Sequence, residues 1–194
     1  MNENKKVALI IGASDATGGA IARRFAREGY VACVTRRSLE KLQPLLAEIR
    51  SEGGEAHGFA SDARREEQVA ELVERIERDI GSIEVMVFNI GANVPCSILE
   101  ETPRKYFKIW EMACFSGFLT SQAVARRMVT RGRGTILFTG ATAGLRGAAG
   151  FAAFAGGQAR HPRAGAEHGA RARAVEYPCR PYRGRRSHRY GLHP

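Results

Sequence analysis

The chain has 194 residues, which is enough for one domain with a hydrophobic core and too few for two domains of ordinary size. The apolar run at residues 7–11 is too short for a membrane span or a secretion signal, and no other run approaches spanning length, so we expect a cytoplasmic protein without a membrane partner. A formal net charge of +10 is typical of proteins that bind nucleic acid, so nucleic acid is one candidate partner.

The positive charge is concentrated in the C-terminal tail, residues 158–194. The tail holds nine arginines, two glutamates and no lysine, so it carries +7 of the +10 and leaves +3 for residues 1–157. Among Val, Ile, Leu, Met and Phe it contains only Val175 and Leu192. Because so few apolar side chains bury too little surface to fold, we expect residues 1–157 to form the folded domain and the tail to be disordered. Nucleic-acid binding by the tail is the least favoured of the functions that the sequence allows.

Within residues 1–157, short apolar runs alternate with amphipathic helical patterns. The predicted strands are residues 7–11, 31–35, 56–60, 83–90 and 135–139. The predicted helices are residues 17–28, a helix capped by Ser38 that ends at residue 49, residues 66–80, and a long helix from about residue 103 to 130. This alternation predicts an α/β fold, a Rossmann-type doubly wound parallel sheet. The sheet is expected to be incomplete at its C-terminal side, because no sixth strand is recognisable.

Four cysteines, Cys33, Cys96, Cys114 and Cys179, show no spacing typical of a metal site. We expect reduced thiols, two of them buried, and no bound metal.

A glycine-bearing turn joins the first predicted strand to the first predicted helix. It contains Gly12, Ser14, Thr17 and Gly18. Small residues let the backbone approach a ligand, and the N–H groups at the start of the helix point toward an anion. A tight turn without a ligand is the alternative, but the strand–turn–helix context favours a phosphate site.

The turn resembles the TGxxxGxG motif of the short-chain dehydrogenase/reductase family. Gly12 and Gly18 take the first and third glycine positions, and Ala16 replaces the middle glycine. The resemblance extends from residue 5 to about residue 157. It implies a nicotinamide cofactor and a small-molecule carbonyl or alcohol substrate. Relatives form homo-oligomers through a helix that is not recognisable here, so the oligomeric state stays open.

Two arginines, Arg36 and Arg37, follow the second predicted strand, where the family's NAD-dependent members place an acidic residue on the ribose 2′-hydroxyl. Arginines at this place suit a 2′-phosphate and therefore predict NADP(H). A solvated basic pair is the alternative.

Other cofactor contacts are expected after the third and fourth strands. The resemblance places Asp62 on the adenine amino group, with Ala63 beside it, and a helix cap is a second role open to Asp62. Asn89 and Gly91 match the end of the family's NNAG motif, in which Phe88 replaces the first Asn.

The catalytic groups of the family are missing from the matching positions. The resemblance implies a Tyr proton donor, a Lys four residues later, a Ser thirteen residues before the Tyr and an Asn on the long helix. This chain has Phe154, Gln158, Ala141 and Ala113 at these positions. The family resemblance therefore implies an NADP(H)-dependent oxidoreductase, and the missing groups favour, as an alternative, a catalytically inactive nucleotide-binding protein or the product of a damaged gene.

The abrupt change of composition near residue 157 predicts that the tail is translated in a slipped reading frame. Residues 157–163, written with suitable synonymous codons and read one base later, give Ala-Lys-His-Ala-Ile-Arg. This reading places a Lys four residues after Phe154. Free choice of the synonymous codons can produce apolar residues by itself, so the gene sequence is the test.

Overall fold

The structure, a computed structural model, describes residues 5–92, 94–141 and 150–158. Five strands form one parallel sheet in the order β3-β2-β1-β4-β5. The strands are β1 (Lys6–Ile11), β2 (Val31–Arg36), β3 (Ala56–Ala60), β4 (Ser82–Phe88) and β5 (Thr135–Phe138). The reversal of strand order beside β1 confirms the predicted Rossmann-type α/β fold.

The connections between strands are helical. The helices are α1 (Thr17–Arg27), α2 (Gln43–Ser51), α3 (Glu66–Asp79), α4 (Pro103–Trp110), α5 (Ser116–Arg131) and α6 (Ala152–Gln158). No helix within the described ranges is long and apolar enough to cross a membrane.

The predicted cap Ser38 is wrong. A 3₁₀ turn, Glu40–Leu42, precedes α2, and no side chain caps either element. Pro44 lies in the first turn of α2, where its missing N–H and fixed φ are tolerated, so the α-helix begins later than the apolar pattern indicates.

The predicted long helix contains a π-helical turn, Glu111–Phe115, between α4 and α5. The Ser116 hydroxyl donates to the Met112 carbonyl oxygen at 2.6 Å. The same type of bond is made by Thr120, Ser121 and Thr130 within the regular helix α5, so it does not by itself explain the π turn. The apolar pattern contains no signal for this turn, and the sequence therefore predicts one uninterrupted helix.

The core has two halves, one on each face of the sheet. Alternate residues of β1 serve opposite halves: Leu9 packs in the cluster with α3 and α5, whereas Ile10 packs with α1 and α2. Burial on both faces explains why the strands are apolar throughout. Phe88, which replaces the first Asn of the NNAG motif, is fully buried and lies 5.8 Å from Phe138, ring centre to ring centre.

Of the three cysteines in the described ranges, Cys33 is buried. Burial raises the pKa of the Cys33 thiol to about 12. Cys96 and Cys114 are half-buried, and Cys179 lies outside the described residues, as does the rest of the tail beyond residue 158. The described ranges contain no cluster of three or more metal-ligating side chains.

Candidate functional site

A cleft of about 340 Å³ opens at the carboxyl ends of β1, β2, β3 and β4. Eight of the ten residues predicted to bind the cofactor line it: Gly12, Ser14, Arg36, Arg37, Asp62, Ala63, Asn89 and Gly91. Gly18 is buried in the first turn of α1, and Thr17 is exposed there. The structure therefore gathers residues from four separate turns around one cavity.

Glycines of the first turn, Gly12 and Gly18 among them, leave no room for a side chain. Gly12 has φ +86°, and a methyl group there would lie 2.7 Å from Ile90 Cγ1. A methyl group at Gly18 would lie 2.7 Å from the Gly12 carbonyl oxygen and 2.8 Å from Ala13 Cα. The turn thus packs its own backbone against itself, leaving no room for side chains.

The Ala16 methyl group, which departs from the family motif, is exposed. Ala16 has φ −98° and ψ −122°. Because its φ is negative, this position does not require the left-handed backbone that favours glycine.

Side chains from neighbouring strands fix the turn in place. The Asn89 amide donates to the Gly12 carbonyl oxygen at 3.0 Å, and the Asn89 backbone N–H donates to Ile11 at 2.8 Å. The Thr35 hydroxyl accepts a bond of 3.3 Å from the Gly12 N–H. Asn89 and Thr35 thus act on the turn as structural ties, a role that the sequence does not indicate for either residue.

The start of α1 is open to an anion. No side chain caps the helix, and its first turn contains no acidic residue. The first-turn N–H groups of an uncapped helix favour a negatively charged partner.

The two predicted phosphate-binding arginines have different surroundings. Arg36 Nη1 lies 3.8 Å from Asp15 Oδ1 and donates to the Lys41 carbonyl oxygen at 3.4 Å. Arg37 is exposed and lines the cleft, and within the described part of the chain it forms no hydrogen bond or ion pair. Arg36 is therefore tied to the glycine turn, whereas the Arg37 guanidinium is available.

Asp62 is held by Arg64, a residue that the sequence analysis did not select. Arg64 Nε donates to Asp62 Oδ1 at 2.9 Å, and Arg64 Nη2 donates to Oδ2 at 2.6 Å. These bonds hold the pKa of the Asp62 carboxyl below its usual range. The helix-cap role for Asp62 is wrong, because Arg65 is the N-cap residue of α3 and no side chain caps that helix.

The positions that match the family's catalytic groups lie in the π turn, in α6 and after β5. Ala113 is fully buried in the π turn, and a methyl group on Gly157 of α6 would lie 3.2 Å from its Cβ. Phe154 is half-buried on the same helix, and its ring lies 6.4 Å from that of Phe151. Ala141 follows β5 at the same edge of the sheet. Helix α6 thus packs against the π turn.

Comparison with known proteins decides the family. The model of the short chain dehydrogenases matches residues 6–159. The chain belongs to this family. A short-chain dehydrogenase from Rhodopseudomonas palustris is 45% identical, with 79% of this chain and 72% of that chain covered at a TM-score of 0.74. The 2,3-dihydro-2,3-dihydroxybenzoate dehydrogenase of Bacillus subtilis (strain 168) is 29% identical over 138 residues, or 71% of this chain and 53% of that protein.

Solved structures with NADPH and with NAD⁺ resemble the chain. An actinorhodin polyketide ketoreductase with NADPH is 28% identical at a TM-score of 0.79, covering 84% of this chain and 65% of that chain. An NAD⁺-bound xylitol dehydrogenase is 27% identical at the same TM-score of 0.79, covering 87% and 66%. This short-chain dehydrogenase spans about half the length of the curated relatives it matches.

Proposed function

We propose that this short-chain dehydrogenase binds NADP(H), in preference to NAD(H), in the cleft at the carboxyl ends of the strands. The observation that carries the proposal is the available Arg37 guanidinium beside an uncapped helix and a glycine turn. The substrate class implied by the family is a carbonyl compound or an alcohol.

The residues present fit a dinucleotide. Gly12 lines the cavity without a side chain. Gly18, in the first turn of α1, lets that turn pack closely against the backbone of Gly12 and Ala13. The open N-terminus of α1 suits a pyrophosphate. When bound, the cofactor supplies hydride transfer, and the chain supplies its binding and orientation.

Arg37 is the residue that we assign to the 2′-phosphate. The Arg36 guanidinium pairs with Asp15 at 3.8 Å and donates to the Lys41 carbonyl oxygen at 3.4 Å. We therefore assign to Arg36 a contact between the end of β2 and the glycine turn. Because Arg37 forms no hydrogen bond or ion pair within the described ranges, its planar guanidinium binds a phosphate there without first breaking one.

The experiment measures dissociation constants for NADPH and NADH on the unmodified chain, Arg37→Ala, Arg36→Ala and the control Arg104→Ala. Arg104 is an exposed arginine on α4 and controls for the loss of one positive charge. We expect Arg37→Ala to weaken NADPH by about 10- to 100-fold, as loss of a charge-assisted hydrogen bond does, and to leave NADH nearly unchanged.

Two results would contradict this assignment. Equal affinity of the unmodified chain for NADH and NADPH would remove the preference for NADP(H). A larger and NADPH-specific loss in Arg36→Ala than in Arg37→Ala would exchange the roles of the two arginines.

The residues at the catalytic positions favour a second candidate, cofactor binding without ordinary turnover. Phe154 has no proton to donate, and neither Ala113 nor Ala141 carries a polar side chain. Turnover of a ketone with NADPH distinguishes the two candidates.

A further inference from the structure

We infer that Arg64 is a positioning residue for adenine recognition. Its guanidinium fixes the Asp62 carboxylate in one orientation and leaves a single acceptor site of Oδ2 for the amino group of the cofactor's adenine. The inference rests on the proposed cofactor function and adds a residue of this chain that the family motifs do not include.

The number of acceptor sites on the carboxylate supports this role. An ionised carboxylate has about four lone-pair sites. Oδ1 of Asp62 accepts two bonds, from the Arg64 backbone N–H at 3.1 Å and from Arg64 Nε at 2.9 Å. Oδ2 accepts one, from Arg64 Nη2 at 2.6 Å. One acceptor site of Oδ2 therefore remains. Its direction is set by the two hydrogen bonds from the guanidinium, one to each carboxylate oxygen.

The surroundings make the grip rigid. The side chains of Arg64 and Asp62 are 20% and 21% exposed, so water and salt screen the pair less than they screen a surface ion pair. The Asp62 backbone N–H donates to Gln68 Oε1 of α3 at 2.8 Å, which fixes the main chain as well. Both ends of the Asp62 side chain are therefore held before any ligand arrives.

Arg64 also connects this loop to the π turn. Its Nη1 lies 3.5 Å from Glu111 Oε2 at the start of that turn. The next residue, Met112, lines the same cleft as Asp62. Arg64 thus helps to set the distance between the loop and the π turn, although this contact is longer than the two to Asp62.

A chemical discrimination follows from the free Oδ2 site. Adenine presents an amino group to an acceptor, whereas hypoxanthine presents a carbonyl oxygen at the same place. A carboxylate held ionised accepts from the amino group and repels the oxygen. We expect the unmodified chain to bind NADPH about tenfold more tightly than its deamino (hypoxanthine) analogue.

The test measures both dissociation constants on the unmodified chain, Arg64→Met, Arg64→Lys, Asp62→Asn and the control Arg65→Met. Arg65 is the exposed neighbour of Arg64 and controls for charge and chain position. We expect Arg64→Met to reduce the ratio of the two affinities to about twofold or less, and Arg65→Met to keep it. Arg64→Lys should also lose most of the ratio, because an ammonium group cannot hold both oxygens in a fixed plane. In Asp62→Asn the ratio should be lost, and adding Arg64→Met should change it no further.

The outcomes separate the inference from the proposed function. If the unmodified chain binds neither dinucleotide, the proposed function fails. If it binds NADPH and Arg64→Met and Arg64→Lys both keep the full ratio, the positioning role alone is wrong. Equal weakening of both analogues by Arg64→Met also overturns it, because Arg64 would then act by charge or by direct contact. Melting temperatures of all variants show whether each one is folded when its ratio is measured.

Discussion

At the scale of single residues, the structure separates the glycine motif into positions that require glycine and one that does not. Gly12 needs its positive φ of +86°, and Gly18 needs the absence of a side chain. Ala16, with a negative φ of −98°, does not need the left-handed backbone that favours glycine. The departure from the family motif at Ala16 is therefore compatible with the same turn.

Gly18→Ala tests this account of the turn. Alanine favours a helix over glycine, but here its methyl group would meet backbone atoms at 2.7 and 2.8 Å that have no free room to move. We expect a loss of about 1–3 kcal/mol in the free energy of unfolding, measured by chemical denaturation, together with weaker NADPH binding. Gly140→Ala is the control, because a methyl group there meets nothing within 4 Å. Equal stability of the two variants would show that the turn yields more easily than the structure indicates.

At the scale of elements, the π turn and α6 form the layer in which the family's catalytic groups would lie. Ala113 and the glycine at position 157 allow close packing of the two elements. Ala153 of α6 is buried and packs with Ile109 of α4. The layer is thus packed by small residues, while the positions matched to the Tyr and the Asn carry no group that can transfer a proton.

We expect this chain not to reduce simple ketones with NADPH. A positioned general acid typically contributes about 10²–10⁴ in rate, and Phe154 removes it. The measurement follows NADPH absorbance over a panel of ketones, with Gly18→Ala as the variant with an impaired cofactor turn. A reproducible rate that disappears in Gly18→Ala would contradict the prediction and favour an active oxidoreductase.

At the scale of the whole molecule, the division of the chain near residue 157 stays a prediction. The family match ends at residue 159, close to the place where the composition changes. Beyond residue 158 the sequence contributes nine arginines and almost no large aliphatic residues. A segment of this composition does not supply the apolar strand that an extended sheet would need.

The proposed slip of the reading frame is tested by sequencing the gene across codons 150–194. We expect the frame shifted by one base to encode a Lys at the position of Gln158 and an apolar continuation. A shifted frame interrupted by stop codons, or one without that Lys, would contradict the proposal. Limited proteolysis is an independent test of the predicted disorder: we expect cleavage within the arginine-rich tail, and a protease-resistant tail would show that the tail is ordered.

The sequence by itself determined the order of strands and helices, the parallel sheet and the position of the glycine turn. These features follow from the apolar pattern of each segment and from the small residues between the segments. Both are local properties of the chain, so the sequence alone indicates them. It also selected eight of the fourteen residues that line the cleft, because parallel strands bring their carboxyl ends to one edge of the sheet.

Only the tertiary structure distinguished Arg36 from Arg37, placed a π turn in the long helix and joined Arg64 to Asp62 and Glu111. The ion pairs of Arg36 with Asp15 and of Arg64 with Glu111 each connect residues that are far apart in the chain. The π turn lies between two α-helices, α4 and α5, which the sequence predicts as one helix. Such features depend on which side chains meet after the elements pack, and a pattern of residue types along one segment does not record that meeting.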